Sequence, residues 1–168
     1  RRDVEEVLIP PFIKKISPYA FNYCNKLKTV IFSENSDISI IDSEAFTDCS
    51  IEKIIIVPQI KQIGERAFYC CHKLLHVEIP PNSQLQKIEN SVFVSTSIDK
   101  ISIPCNVTEI GQYAFNLCQK LQKVEFSKNS KLRQIDKFAF RKSYIESITI
   151  PSHVTLICSN AFSSCKNL

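Results

Sequence analysis

The residues of this chain that are best suited to chemistry are its eight cysteines and three histidines. Such side chains bind metals, form disulfides or act as nucleophiles. The one cluster that combines both types is Cys70, Cys71 and His72, with His76 nearby. A closed zinc site needs four convergent ligands, whereas the repeat described next directs Cys71 into the core and places His76 on a strand. We therefore predict no metal, no cofactor and no Cys-His nucleophilic pair.

The positions of these side chains are set by a repeat, in which an apolar residue is followed by phenylalanine. The intervals between the phenylalanines alternate between 25 and 22 residues, so that two consecutive units form a pair of 47 residues. This regularity predicts an array in which each unit buries its apolar face against its neighbours. The seven phenylalanines are Phe21, Phe46, Phe68, Phe93, Phe115, Phe140 and Phe162.

Two further patterns flank each phenylalanine. A run with apolar residues at its first, fourth and sixth positions, as in Ile98, Ile101 and Ile103, recurs seven times and predicts a short strand. An apolar pair three residues apart, such as Val107 and Ile110, predicts a short return strand. Because good N-cap residues usually precede the phenylalanine segment, we expect one or two turns of α- or 3₁₀-helix there.

Together these elements predict an α/β repeat. None of them forms a core alone, so we expect a right-handed solenoid with a parallel sheet on one face and with return strands and helical turns on the other. Seven strands would make a sheet roughly 30 Å long. We expect residues 1–168 to form a single solenoid of about seven repeats, each 23 to 24 residues long. Because both ends cut into the repeat pattern, we also expect a segment of a longer array.

Five of the cysteines occupy one position of the repeat, three residues after the phenylalanine: Cys24, Cys49, Cys71, Cys118 and Cys165. A small, weakly polar thiol suits a tight turn beneath the next unit, which is how buried free cysteine behaves. We predict reduced core thiols. Disulfides stacked along this column are the alternative.

The combined repeat resembles the BspA-like class of leucine-rich repeats over essentially the whole chain. One copy of the string that carries the resemblance runs through Ile98, Ile101, Ile103, Pro104, Val107, Ile110, Gly111, Ala114, Phe115, Cys118 and Leu121. The resemblance implies a leucine-rich-repeat solenoid that recognises macromolecules, and many relatives are surface proteins of bacteria and anaerobic protists linked to adhesion. The chain departs from the pattern at Thr96 and Ser143, which replace the expected cysteine.

The exposed side of the predicted sheet is the candidate functional surface, because residues between the inward apolar positions must face outward. One outward column contains a basic stripe, and its neighbour contains three aliphatic residues on the N-terminal units. Such a patch marks a protein-binding site; the alternative is that lysine merely keeps the sheet soluble and isoleucine simply favours β structure. The predicted binding residues are Leu8, Thr29, Ile31, Lys53, Ile55, His76, Glu78, Lys100 and Lys123.

Several functional classes find no support in the sequence. With two glycines, the chain has no glycine-rich phosphate loop. Its carboxylates are scattered, which argues against a glycosidase, and we predict no enzymatic activity. A net charge of +4 is too mild to indicate nucleic-acid binding. No apolar run approaches the roughly 20 residues of a membrane helix, and the first residues contain no signal peptide.

We therefore predict a protein-interaction module, acting in surface recognition or adhesion by the resemblance, with a host or matrix protein as its partner. An intracellular scaffold, for example in a cytoskeletal assembly or bound to copies of itself, is the alternative. The unpaired thiols favour the scaffold, since they persist best in a reducing compartment. We expect a recognition module to lie at the cell surface; for an intracellular scaffold, the alternative location is the cytoplasm or the cytoskeleton.

Overall fold

The computed structural model describes residues 3–168, which form about seven turns of a parallel-strand solenoid. We call each turn a rung. The first twelve of the solenoid's thirteen short strands alternate between a front face and a return face, and the last strand also lies on the return face. The strands are β1 Glu6–Ile9, β2 Lys15–Ile16, β3 Thr29–Phe32, β4 Ile40–Ile41, β5 Lys53–Ile55, β6 Gln62–Ile63, β7 His76–Glu78, β8 Lys87–Ile88, β9 Lys100–Ile103, β10 Glu109–Ile110, β11 Lys123–Phe126, β12 Gln134–Ile135 and β13 Leu156–Ile157.

All strand pairs are parallel, as the repeat predicts. On the front face, β1, β3, β5 and β7 form one ladder, and β9 and β11 form a second. The seventh rung adds only an isolated bridge between Ser147 and Lys123 on this face. On the return face, β2, β4 and β6 form one ladder and β8, β10, β12 and β13 form another. Strand pairing is therefore interrupted between different rungs on the two faces. Where pairing is missing on one face, strands on the other face still join the successive rungs.

The expected helical turns around the phenylalanines are wrong, since residues 3–168 contain no helix. Each repeat phenylalanine lies between two residues with φ near +60°, as Tyr19 and Tyr23 flank Phe21. A right-handed helix requires negative φ throughout. The chain instead makes successive tight turns, in which the amide of Ala20 donates to the carbonyl of Ser17 at 3.2 Å.

Hydrogen bonds between rungs explain why these turns replace a helix. The Phe21 amide donates to the Ala45 carbonyl at 2.8 Å, and the Phe46 amide donates to the Ala67 carbonyl at 2.9 Å. A helix would direct every amide along its own axis. The alternating left-handed residues instead aim every second amide at the next rung, so the turn region is bonded between rungs much as the strands are.

The core contains a column of stacked phenylalanine rings. Successive ring centroids lie 5.1–5.6 Å apart, and the ring planes are within 16° of parallel. Phe21 and Phe162 at the two ends of the column are half-buried. The five rings between them are fully buried: Phe46, Phe68, Phe93, Phe115 and Phe140.

The cysteine column forms hydrogen bonds between rungs. All eight cysteines are free thiols. The thiol of Cys71 donates to the Phe46 carbonyl at 3.0 Å, and the thiol of Cys118 donates to the Phe93 carbonyl at 3.0 Å. The departures from the pattern fit the same position, because the Thr96 hydroxyl donates to the Phe93 carbonyl at 2.9 Å. A hydroxyl therefore replaces the thiol as a hydrogen-bond donor.

Each of the two glycines lies against the backbone of the preceding rung. A Cβ on Gly64 would lie 2.5 Å from the Ser43 nitrogen, and one on Gly111 would lie 2.9 Å from the Ile88 carbonyl oxygen. Neither contact could be relieved by a side-chain movement, because the atoms belong to the backbone. Both positions therefore require the absence of a side chain rather than a left-handed backbone.

Replacing Phe68 with alanine should remove the centre of the ring column. We expect a loss of about 3–5 kcal/mol in the free energy of unfolding, because rigid rungs on both sides cannot collapse into the cavity. Urea denaturation measures this loss. Phe12→Ala is the matched control, since Phe12 is 71% exposed; equal losses in the two variants would contradict the role of the column.

The buried thiols predict a loss of stability in alkali. Burial raises the pKa of Cys49 and of Cys118 from 9.0 to about 12. Above pH 9 the unfolded chain releases these protons while the folded chain retains them, so stability is complete below pH 9 and declines towards pH 12. At pH 10 each of these two thiols should lower the free energy of unfolding by roughly 1 kcal/mol.

Urea midpoints at pH 8 and pH 10 test this expectation. Cys118→Ser is the control, because a hydroxyl does not titrate in this range and Ser143 occupies the equivalent position in its own rung. The variant should lose less stability between the two pH values than the parent chain does. An identical loss in both proteins would show that Cys118 does not contribute.

Candidate protein-binding face

The front face presents two columns of outward side chains in the predicted register. Parallel pairing aligns Glu6 with Thr29 and Leu8 with Ile31. The first column continues from Thr29 to Lys53 and then to His76. In the second ladder, Lys100 aligns with Lys123 and Ser102 with Glu125. The strand periodicity therefore assigns every predicted binding residue to this face.

An apolar row lies at the N-terminal end of the face. Leu8, Ile31 and Ile55 are 59%, 41% and 46% exposed, although the inward residues between them are largely buried. They occupy three adjacent strands, β1, β3 and β5. We call these three residues the apolar row. Contiguous exposed aliphatic side chains on one face provide the apolar centre that a protein interface needs.

The basic stripe begins beside the apolar row and runs towards the C-terminal rungs. It consists of Lys53, His76, Lys100 and Lys123. Lys123 forms an ion pair with Glu125 at 2.6 Å, and this hydrogen-bonded contact lowers the pKa of Glu125. Among residues 3–168, Lys53 and Lys100 form no ion pair with a carboxylate. These two ammonium groups are therefore free to meet a partner's acidic groups.

The predicted residues do not all form one compact patch. Lys123 lies five rungs from Leu8, which corresponds to about 24 Å at the spacing of adjacent strands. Thr29 is half-buried, unlike the others. The central members of the set, Lys53, His76, Glu78 and Lys100, line a common groove of about 540 Å³ together with Pro80 and Pro81. This groove adjoins the apolar row through Lys53.

An acidic column beside the basic stripe was not predicted. Backbone hydrogen bonds between rungs align it at the start of the front strands, and its four carboxylates are 47 residues apart: Glu5, Glu52, Asp99 and Glu146. That spacing is the signal that would have revealed it. Asp99 Oδ1 is buried without a hydrogen-bond partner, and the nearest ring nitrogen, Nδ1 of His76, lies at 3.9 Å. The face is therefore mixed in charge.

The Cys/His cluster of the sequence divides between different parts of the fold. Cys71 is buried and bonded to the Phe46 carbonyl, whereas His76 lies on the front face. Cys70 and His72 instead approach Asp48, and one possible ligand atom from each of the three lies within 4.8 Å of the others. Sequence reasoning missed Asp48, although Asp48 and Cys70 share a repeat position two residues after phenylalanine.

This solenoid is similar to known proteins in its fold and in its repeat pattern. In the part of the chain that the structure describes, no helix has the length and apolarity to span a membrane. No curated protein is significantly similar to the chain in sequence. Solved structures are similar to it, and all of those described below are leucine-rich repeat proteins or antigens of bacteria.

A leucine-rich repeat protein from Eubacterium ventriosum is 20% identical to the chain, with a TM-score of 0.80 over 96% of this chain and 43% of that one. A leucine-rich cell surface protein from Faecalibacterium prausnitzii is 24% identical, with a TM-score of 0.63 over 97% and 59%. The pneumococcal vaccine antigen PcpA is 17% identical, with a TM-score of 0.53 over 98% and 60%.

These three proteins resemble the chain in fold, and the chain spans about half of their length.

Membership of a family is shown by the sequence. A family model described as the BspA type leucine rich repeat region matches in six copies, over residues 1–115 and 39–168. The chain therefore belongs to the BspA-type leucine-rich repeat family, whose solenoid is a protein-interaction fold.

Proposed function

We propose that this chain is a non-enzymatic recognition module that binds another protein through its front face and acts in adhesion at a cell surface. The observation that carries the proposal is the apolar row, which lies exposed on three adjacent strands. The basic stripe begins beside it at Lys53, and Lys53 and Lys100 have no ion-pair partner among residues 3–168. The proposed contact residues are Leu8, Thr29, Ile31, Lys53, Ile55, His76, Glu78, Lys100 and Lys123.

The chemistry of the front face favours a protein as the partner. An apolar centre with a polar and charged rim is the usual anatomy of an interface. The acidic column beside the basic stripe disfavours a nucleic acid, because its carboxylates would repel a phosphate backbone. The grooves are open and mixed in polar and apolar lining, unlike the enclosed, mostly apolar pockets that bury small molecules.

The cell-surface location draws its support from family membership and from the similarity to a bacterial cell surface protein and a vaccine antigen. An intracellular scaffold is the rival, and the free thiols favour it, because eight unpaired cysteines suit a reducing compartment. The sequence of the full-length protein separates the two locations: a signal peptide supports the surface, and its absence supports the scaffold.

A binding experiment tests the front face. The purified chain is immobilised and probed by biolayer interferometry with a panel of purified matrix and host-cell surface proteins. For a ligand found in this way, Ile31→Ser combined with Ile55→Ser should weaken binding by about tenfold or more, because the apolar centre of an interface carries most of its free energy.

The matched control is Leu156→Ser. Leu156 is 47% exposed in a strand on the return face, which resembles the exposure of Ile55 on the front face. The control variant should bind as the parent chain does. Unchanged binding by the double variant would overturn the assignment of the front face, and the absence of any ligand in the panel would overturn the adhesive role.

A further inference from the structure

We infer that Asp48, Cys70 and His72 form a binding site for a zinc ion on the side of the solenoid where the phenylalanine turns lie. One possible ligand atom from each residue lies within 4.8 Å of the other two. In a tetrahedral zinc site, ligand atoms are about 3.3–3.8 Å apart, so each side chain needs to move by less than about 1 Å to close on the ion.

The backbone holds two of the three ligands in place. Asp48 and Cys70 occur at equivalent positions on adjacent rungs, with φ values of 55° and 56°. The Asp48 amide donates to the Tyr69 carbonyl at 2.9 Å, and the Cys70 amide donates to the Val94 carbonyl at 2.9 Å. The solenoid therefore fixes the stacking of the carboxylate and the thiol, independently of any ion.

A hydrogen bond orients the third ligand. The His72 Nδ1 lies 2.9 Å from the carbonyl oxygen of Ser95. Because that oxygen can only accept, Nδ1 must carry the proton, which leaves Nε2 of the neutral ring with a free lone pair. Metal-binding histidines usually show this arrangement, in which a backbone carbonyl fixes the tautomer of the ring.

The donor set selects the type of ion. Thiolate sulfur, imidazole nitrogen and carboxylate oxygen together favour zinc, whereas magnesium and calcium prefer oxygen ligands alone. The three residues line a cavity of about 330 Å³, which leaves space for a water molecule as the fourth ligand. Lys73 lines the same cavity, but within residues 3–168 it forms no ion pair with Asp48.

The proposed site spans two rungs directly and a third through His72, whose carbonyl also accepts from the Ser97 hydroxyl at 2.7 Å. Zinc would therefore add a bond between rungs to the backbone bonds, side-chain hydrogen bonds and core packing that already join them. Because the site exists only in the folded chain, bound zinc should raise the melting temperature.

Isothermal titration with zinc chloride tests the site, using the whole chain after treatment with a chelator and a non-thiol reductant. We expect one zinc ion per chain. Cys70→Ser should weaken binding by at least about tenfold, since even residues that only support a ligand often cost that much. Zinc should raise the melting temperature of the parent chain but not that of the variant.

Cys158→Ser is the matched control, because Cys158 is also half-buried beside a carboxylate, Asp136, but forms no comparable group of ligands with a histidine within residues 3–168. Cys70→Ser should fold, since Ser95 and Ser164 adopt the same left-handed backbone at the equivalent position. His72→Asn provides a second test on an exposed residue. Failure of the parent chain to bind one equivalent, or equal binding by Cys70→Ser, would overturn the site.

Discussion

The structure depends on the hydrogen bonds that each rung makes to the next. Strand amides, return-strand amides and every second amide of the phenylalanine turns all bond across the same gap between rungs. Buried backbone groups must be paired, and in this chain the partner lies mostly on another rung, 21 to 26 residues away along the sequence. The constant spacing between rungs then sets the distances between the side chains packed inside them.

Core packing follows from that spacing. Rings stack at 5.1–5.6 Å because strands set that separation on either side of them. The thiol column uses the same gap to reach the carbonyl of the preceding phenylalanine, and the hydroxyl of Thr96 reaches that of its own rung. The two glycines occur where the gap is too small for a Cβ. At the cysteine position, Thr96 shows that a small side chain with a hydrogen-bond donor can replace the thiol.

The candidate functional residues are the side chains that point outward from the stacked rungs. On the front face, alternation along each strand presents the apolar row and the basic stripe in register, and an acidic column recurs every second rung. On the turn side, the left-handed residues of adjacent rungs bring Asp48 beside Cys70. Both candidate surfaces arise from stacking identical units whose exposed positions carry different residues.

Periodicity alone was sufficient to predict the solenoid, the strand register, the phenylalanine column and the exposed row of Leu8, Ile31 and Ile55, because those features depend on spacing along the chain. The turn around each phenylalanine could not be predicted, since its sequence also suits a helix and only the bonds to the next rung decide against one. The proximity of Asp48 to His72 likewise required the tertiary structure. It depends on the distance between side chains of adjacent rungs, and that distance cannot be read from spacing along the sequence.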